Sequence, residues 1–509
     1  MLVHDIIRHH GRVRKGQPAL VFEGEVVSYG RLLERVDRWR ETLLRAGVRK
    51  GDRLAVFSRT NPDYLTLLFA ALSLGVWFCP VNVILKKPEI ERILGDFSPD
   101  LLYADSPLVE VAEEAASRVS PVRGIFTVTE EGELSYRGRK ESGASSPEKI
   151  SPDDVAMVVY TGGFGKRPKG AMLTHENIVS ASFFSAVELS LSPADTYLST
   201  FPLPFLAGTG RLMKFFLVGA RVVLMDSFDP EKAVRYTKEY GVTHLLLVPQ
   251  MMKEMTEVLK GRGEKLSGVR QISYSGIVPV QPNVVRECVE VIPADFVQSF
   301  AQVESSGVIS FLHLERETVE KGESLSGLLS SVGKESVGLE VRVENPMGEE
   351  LPPGEIGELV VAGATVMKGY YEDPLLTEEK IRDGRLRTGY VASKDEEGYL
   401  YVVDRLQDII IRGGFIIDPS EVEEVISEFE GVAEVAVVGA PDEKYGEVPV
   451  ALIVPEGGEF APEKLLTYLK ETLASFKVPA RVEVVPRLPR NSQGKILKAR
   501  LKEYLIDRA

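Results

Sequence analysis

Val155-Ala156-Met157-Val158-Val159-Tyr160 runs into Thr161-Gly162-Gly163-Phe164-Gly165-Lys166-Arg167-Pro168-Lys169-Gly170, and Thr174 follows closely. The first six residues form an apolar, β-branched run, the pattern of a buried strand. Thr174 is a good first residue for a helix. The glycines between let backbone N–H groups approach a phosphate, and a following helix N-terminus favours anions. No Lys-Ser/Thr pair stands at the spacing of a Walker A loop. Taken alone, the same loop also reads as a tight surface turn with solvated charges.

Outward from this stretch the pattern repeats. Arg53 to Phe57 reads as a strand with a helix from about Pro62, and Phe78 to Val81 as a strand with an amphipathic helix around Pro88 to Leu94. Ala220 to Met225, His244 to Val248 and Gln271 to Tyr274 are further short strands. Such alternation predicts βα units and largely parallel sheets covered by helices. Glu355 to Ala362 and Tyr399 to Val403 read as antiparallel and are expected to form a small barrel. After Asp404 to Asp408 a compact α+β pattern begins: strands at Asp408–Ile411, Ala433–Val438, Val448–Val454 and Ala480–Val485, helices at Pro419–Phe429 and Glu463–Leu473. Ser142 to Ser151 is expected to be a polar linker.

The 509 residues exceed what one hydrophobic core holds and predict at least two domains. The formal net charge of −14 argues against nucleic acid as the main partner. The two cysteines, Cys79 and Cys288, have neither disulfide-framework nor metal-ligand spacing. Apolar runs such as Leu65 to Val81 are broken by Gly75 and Pro80, so no membrane-spanning segment is expected. Met1 to Lys15 is basic without an apolar signal core, and a cytoplasmic location is expected.

Near the C-terminus, Pro489-Arg490-Asn491-Ser492-Gln493-Gly494-Lys495-Ile496 puts a lone lysine in a short Gly-containing loop. Lysine is a compact charge on a flexible stem. It suits a task in which a charge swings against a carboxylate and a phosphate during acyl transfer. Upstream stand Tyr399-Leu400-Tyr401-Val402-Val403-Asp404-Arg405, then Asp408 and Gly413-Gly414. Together these resemble the adenylate-forming superfamily, closest to acyl-CoA synthetases and fatty acid–CoA ligases, from about Val27 to the C-terminus. The resemblance implies an α/β fold. A large N-terminal domain of doubly wound βα sheets plus a small β-barrel (1–404) leads through a hinge (405–407) to a small mobile α+β domain (408–509).

The resemblance also implies roles. Lys495 matches the catalytic lysine. Gln298-Ser299-Phe300-Ala301-Gln302-Val303-Glu304 resembles Gln-x-Tyr-Gly-x-Thr-Glu. Glu304 then stands where a glutamate holds Mg²⁺, Phe300 where an aromatic stacks on adenine and Ala301 where a glycine stands. Val303 replaces the threonine that contacts the α-phosphate. The opening stretch looks like the phosphate loop Thr-Ser-Gly-Thr-Thr-Gly-x-Pro-Lys-Gly. Thr161, Gly163 and Lys169 match it, Gly162 replaces the serine, Phe164 and Gly165 replace the later threonines, and Lys166 replaces the second glycine. Gly276 belongs to Ser275–Pro279, similar to the adenine-side loop. Arg387-Thr388-Gly389-Tyr390 matches Arg-Thr-Gly-Asp, with Tyr390 where the aspartate accepts hydrogen bonds from ribose. Such a loss is worth about 1.5–3 kcal/mol. Arg405 would reach the ribose, Gln407 marks the pivot, and Gly413 and Gly414 line the pantetheine tunnel. Pro202–Gly208 resembles Pro-Leu-Phe-His-x-x-Gly at the acyl pocket, with Phe205 in place of histidine.

Three functions follow. One is a carboxylic acid–CoA ligase, with an apolar, fatty acid expected, that uses ATP, Mg²⁺ and CoA and passes through an acyl-adenylate. The second is a divergent relative that has lost ATP-dependent activation and binds acyl-CoA or a nucleotide as a subunit or sensor; the third keeps ATP use but passes the acyl group to another acceptor, such as a carrier-protein thiol or an amine, and no residue singles it out. The replacements cluster on the nucleotide and favour the second. Lys495, Arg405 and Glu304 favour the first.

Overall fold

The computed structural model of the 509-residue chain describes all residues except 120–121, 129–133, 139–147, 162–167, 276–279, 323–324, 406–409, 458–459, 491–495 and 507–509. It divides into two compact units. The larger comprises Met1–Asn82, Phe97–Val159 and Gly170–Asp404; the smaller comprises Val83–Asp96, Tyr160–Lys169 and Arg405–Ala509.

The larger unit is built on two extended sheets. In the first, the strands Trp77–Val81, Arg53–Phe57 and Leu101–Ala104 run parallel, and Val155–Thr161 pairs in parallel with the first of them. The second is a nine-stranded sheet. Its centre is parallel, from Pro18–Phe22 through Arg221–Leu224, Thr196–Ser199, His244–Leu246 and Gln271–Ser275 to Asp295–Phe300. Antiparallel strands close both edges. One hydrophobic core joins Leu54, Val56 and Phe78 of the first sheet to Leu20, Tyr197 and Val222 of the second through helices between them. The helix Pro62–Leu72 shows why. It is apolar all round, Tyr64 to Leu72 are all buried, and Asn61 caps it by accepting the Tyr64 N–H at 2.9 Å.

The stretch Met1–Lys15, which carried no structural expectation, forms the helix Val3–Val13. Val3, Ile6, Ile7 and His10 recur at helical spacing and are buried. Among the described residues no helix is long and apolar enough to cross a membrane. The expected barrel is a five-stranded antiparallel sheet containing Leu339–Glu344, Gly357–Gly363, Ile381–Arg382, Arg385–Lys394 and Leu400–Arg405. Most of the expected linker lies outside the described residues.

In the smaller unit, Gly446–Pro455 pairs antiparallel with Val432–Asp442 and parallel with Arg481–Val484. Period-two alternation sends Val437, Ala451 and Ile453 to one core, shared with the helices Pro419–Ser427 and Pro462–Thr472. Ala436, Val438, Val450 and Leu452 face the other, shared with the helix Lys498–Ile506. The expected strand Asp408–Ile411 is seen as Ile410–Arg412, with 406–409 outside the described residues. The buried Lys477 ammonium ties this unit together, lying 2.6 Å from Glu89 and also paired with Glu421.

Candidate active site

The strand Asp295–Phe300 ends at Phe300, and the chain then turns. Val303–Ser305 forms one 3-10 turn, the Ser305 hydroxyl accepts the Gln302 N–H at 3.2 Å, and Ser306 and Gly307 take positive φ. This places Glu304 at the carboxyl edge of the parallel sheet, where α/β folds bind ligands. Its carbonyl accepts the Met367 N–H at 2.9 Å, and its carboxylate accepts the Tyr370 hydroxyl at 2.8 Å. Burial and the Glu304 charge push the Tyr370 phenol far above its usual range, so it remains a donor. One hydrogen bond leaves most of the carboxylate's acceptor capacity open. That suits Mg²⁺, which is held by one or two carboxylates plus phosphate oxygens. Among the described residues no group of three or more His, Cys, Asp or Glu could hold a metal alone.

Arg387–Tyr390 lies in a bulge. Glu358 pairs with Val391 and Val360 with Arg387, so Thr388, Gly389 and Tyr390 together oppose Leu359. Gly389 supplies φ +76°, the Thr388 hydroxyl donates to the Leu359 carbonyl at 2.6 Å, and Arg387 pairs with Glu358. Tyr390 turns inward and packs edge-on against Phe300, ring centroids 4.9 Å apart, with both side chains buried. The core around them contains Ile309, Val341, Leu359 and Leu400. Their contact is therefore apolar, and Ala301, next to Phe300, is half-buried.

Phe205 is half-buried and precedes the helix Leu206–Val218. Its carbonyl accepts the Gly208 N–H at 2.9 Å. A Cβ on Gly208 would collide with the Pro202 carbonyl oxygen, which explains the glycine.

Thr161 ends its strand, and Lys169 opens Lys169–Thr174; both are half-buried. In the smaller unit, Gly413 and Gly414 have φ +54° and +88° and join Ile410–Arg412 to Phe415–Ile417. Two residues of positive φ make the tight hairpin turn that matches strand twist. The Gly413 N–H donates to the Tyr445 carbonyl at 2.8 Å. Arg405 ends the strand Leu400–Arg405. Gly163, Gly165, Gly276, Gln407 and Lys495 lie outside the described residues.

The profile of the AMP-binding enzyme family matches residues 7–371, and that of the AMP-binding enzyme C-terminal domain matches 421–495. The chain belongs to the AMP-binding enzyme family. A feruloyl-CoA synthase from an Amycolatopsis species is 36% identical over 483 residues, covering 94% of each chain. A 2-succinylbenzoate–CoA ligase from Bacillus cereus is 31% identical, covering 96% of this chain and 95% of its own. Among solved structures, o-succinylbenzoate CoA synthetase from Bacillus subtilis, bound to a product analogue, superposes with a TM-score of 0.85 at 29% identity, covering 98% of both chains. The amide bond synthetase McbA from Marinactinospora thermotolerans superposes with a TM-score of 0.86 at 26% identity, covering 99% of both.

Within this AMP-binding family chain, Phe300, Ala301 and Glu304 share one segment, and Phe300 meets Tyr390. Tyr370 is the residue that sequence reading missed. Its signal was faint: a Gly369-Tyr370-Tyr371 run outside any apolar period, 66 residues from Glu304.

Proposed function

We propose that the chain is a carboxylic acid–CoA ligase that works through an acyl-adenylate, using ATP, Mg²⁺ and CoA. The observation that carries this reading is the Glu304 carboxylate, held by Tyr370 at the sheet's carboxyl edge in a chain matched almost end to end by CoA ligases. The acid's carboxylate attacks the α-phosphate of ATP and releases pyrophosphate; CoA thiolate then displaces AMP. Mg²⁺ supplies Lewis-acid neutralisation of the phosphates. Glu304 is its protein ligand, and Tyr370 fixes the carboxylate's orientation.

Lys495 stabilises the charge that develops in the first step. Thr161, Gly163, Gly165 and Lys169 form the phosphate loop, Gly276 and Phe300 flank the adenine, and Arg405 reaches the ribose. The domains are 1–404 and 408–509, turning about Gln407 so that the tunnel at Gly413 and Gly414 replaces Lys495. The acid enters beside Phe205 with an apolar body.

One observation favours a second reading, loss of ATP-dependent activation with retained acyl-CoA or nucleotide binding. Tyr390 is spent on Phe300 inside an apolar core rather than offering a carboxylate to ribose.

ATP–pyrophosphate exchange with a panel of acids, beside Lys495→Ala, separates the two. Exchange that depends on one acid class and collapses in the variant supports the ligase. Folded protein with no exchange for any acid moves the conclusion to the second reading.

A further inference from the structure

The Glu304 turn and the strand Lys169–Thr174 lie far apart in the chain, and a short strap, 364–371, ties one to the other. The end of the strap pairs with the strand. Gly369 lies opposite Met172 and Tyr370 opposite Ala171. The Lys368 N–H donates to the Met172 carbonyl at 2.9 Å, and the Tyr371 N–H donates to the Gly170 carbonyl at 2.7 Å. The start of the strap grips the turn. The Ser306 hydroxyl donates to the Thr365 carbonyl at 2.7 Å, and the Met367 N–H donates to the Glu304 carbonyl at 2.9 Å. The Tyr370 hydroxyl adds a bond to the Glu304 carboxylate itself. The strap therefore sets both the backbone and the carboxylate of Glu304 in register with the strand that leaves the proposed phosphate loop.

The start of the strap is held in turn by Asn177. This is the third residue of the helix His175–Glu188, and it is buried. Its side-chain oxygen accepts the Thr174 N–H at 2.9 Å, and the Thr174 hydroxyl accepts the Asn177 N–H at 3.1 Å, a reciprocal helix cap. Its side-chain nitrogen donates to the Ala364 carbonyl at 2.8 Å and to the Val366 carbonyl at 2.9 Å. Two carbonyl partners identify that side of the amide as the NH₂ group and use both of its hydrogens. The cap needs only the oxygen. The two donors serve something else, because they reach carbonyls 187 and 189 residues away. Three consecutive strap carbonyls are thus shared between two elements: Ala364 and Val366 bond to Asn177, and Thr365 between them bonds to the Glu304 turn.

We propose that Asn177 is a positioning residue for the metal-binding carboxylate: through the strap it fixes Glu304 relative to the strand after the phosphate loop, without touching substrate or metal. The catalytic consequence rests on the ligase reading. Mg²⁺ tolerates little error in the placement of its ligands. A misplacement of about 1 Å, caused far from the chemistry, can cost about a hundredfold in rate.

The test uses Asn177→Asp, which keeps the cap acceptor and removes both donors, since an ionised carboxylate only accepts. Thr174→Val does the converse: it removes the cap hydroxyl and leaves both donors. Hydrogen–deuterium exchange without ligand is read over residues 302–308 and at the Met367 amide. The Mg²⁺ concentration for half-maximal pyrophosphate exchange is read beside kcat at saturating Mg²⁺. In Asn177→Asp the expected result is faster amide exchange in both places and about a tenfold higher Mg²⁺ requirement, with kcat at saturation little changed. Thr174→Val is expected to match the wild type in both readings. Tyr370→Phe added to Asn177→Asp is expected to raise the Mg²⁺ requirement little further, because both act through one strap.

Amide exchange needs neither acid nor ATP. Faster exchange in Asn177→Asp but not in Thr174→Val supports the positioning role even where no pyrophosphate exchange occurs, and only the ligase reading then falls. Wild-type protection around Glu304 in Asn177→Asp overturns the proposal. So does a Mg²⁺ effect that adds in full to that of Tyr370→Phe, or an equal effect from Thr174→Val. Should Asn177→Asp fail to fold, Asn177→Ala removes the same donors without adding a charge, and Ser306→Ala cuts the strap's bond to the turn; both are read in the same way.

Discussion

The Glu304 carboxylate takes a hydrogen bond from a phenol that burial keeps protonated. Hydrogen bonds to charged groups are worth about 1.5–3 kcal/mol. Tyr370→Phe is therefore expected to keep the fold and raise the KM for MgATP about tenfold, with the Mg²⁺ concentration needed for half-maximal exchange rising in parallel. An unchanged Mg²⁺ dependence would separate Tyr370 from the metal. Tyr390 makes the opposite case. Its surroundings are Phe300, Val341 and Leu359. Tyr390→Asp, which restores the residue type of the resembled motif, puts a carboxylate into that core. The expected outcome is a loss of at least about 3 kcal/mol in urea unfolding. A variant as stable as the wild type that binds ATP more tightly would show that the core opens readily at this point.

At the scale of elements, each candidate residue is aimed by its local backbone. The bulge opposite Leu359 turns Tyr390 inward, and the two positive-φ glycines close the hairpin at Gly413 and Gly414. Gly208 lets the start of Leu206–Val218 pass against the Pro202 carbonyl. Gly208→Ala must displace backbone rather than a flexible side-chain tip. It is expected to lose roughly 2–4 kcal/mol of stability and to disturb acid binding beside Phe205. Thermal unfolding with and without the preferred acid checks both effects.

At the scale of the molecule, Lys477, Glu89 and Glu421 join parts of the smaller unit separated by up to 388 residues. Burial, reinforced by the Glu89 charge and opposed by Lys477, pushes the Glu421 carboxyl up to about 7 from its ordinary 4.5. The fold thus favours protonated Glu421. Its contribution to stability is complete below about pH 4.5 and is lost as pH rises through about 7. Glu421→Gln is expected to flatten the pH dependence of stability across that window, a span of about 3 kcal/mol at most. Chemical unfolding at pH 5 and pH 8 reads it directly; an unchanged slope would mean that another group titrates there.

What the sequence determined by itself was what local chemistry determines. The β-branched run at Val155, the Asn61-Pro62 helix start and the alternation in Val448–Val454 each declare their element within a few residues. The helix at Val3–Val13 was equally local in its spacing, but its basic composition hid the narrow apolar stripe. Tertiary structure alone decided that Tyr370 holds Glu304 and that Tyr390 lies on Phe300. Each of these joins segments far apart in the chain. Periodicity records which side of an element is buried, but the partner it meets there is set only by how sheets and helices stack in three dimensions.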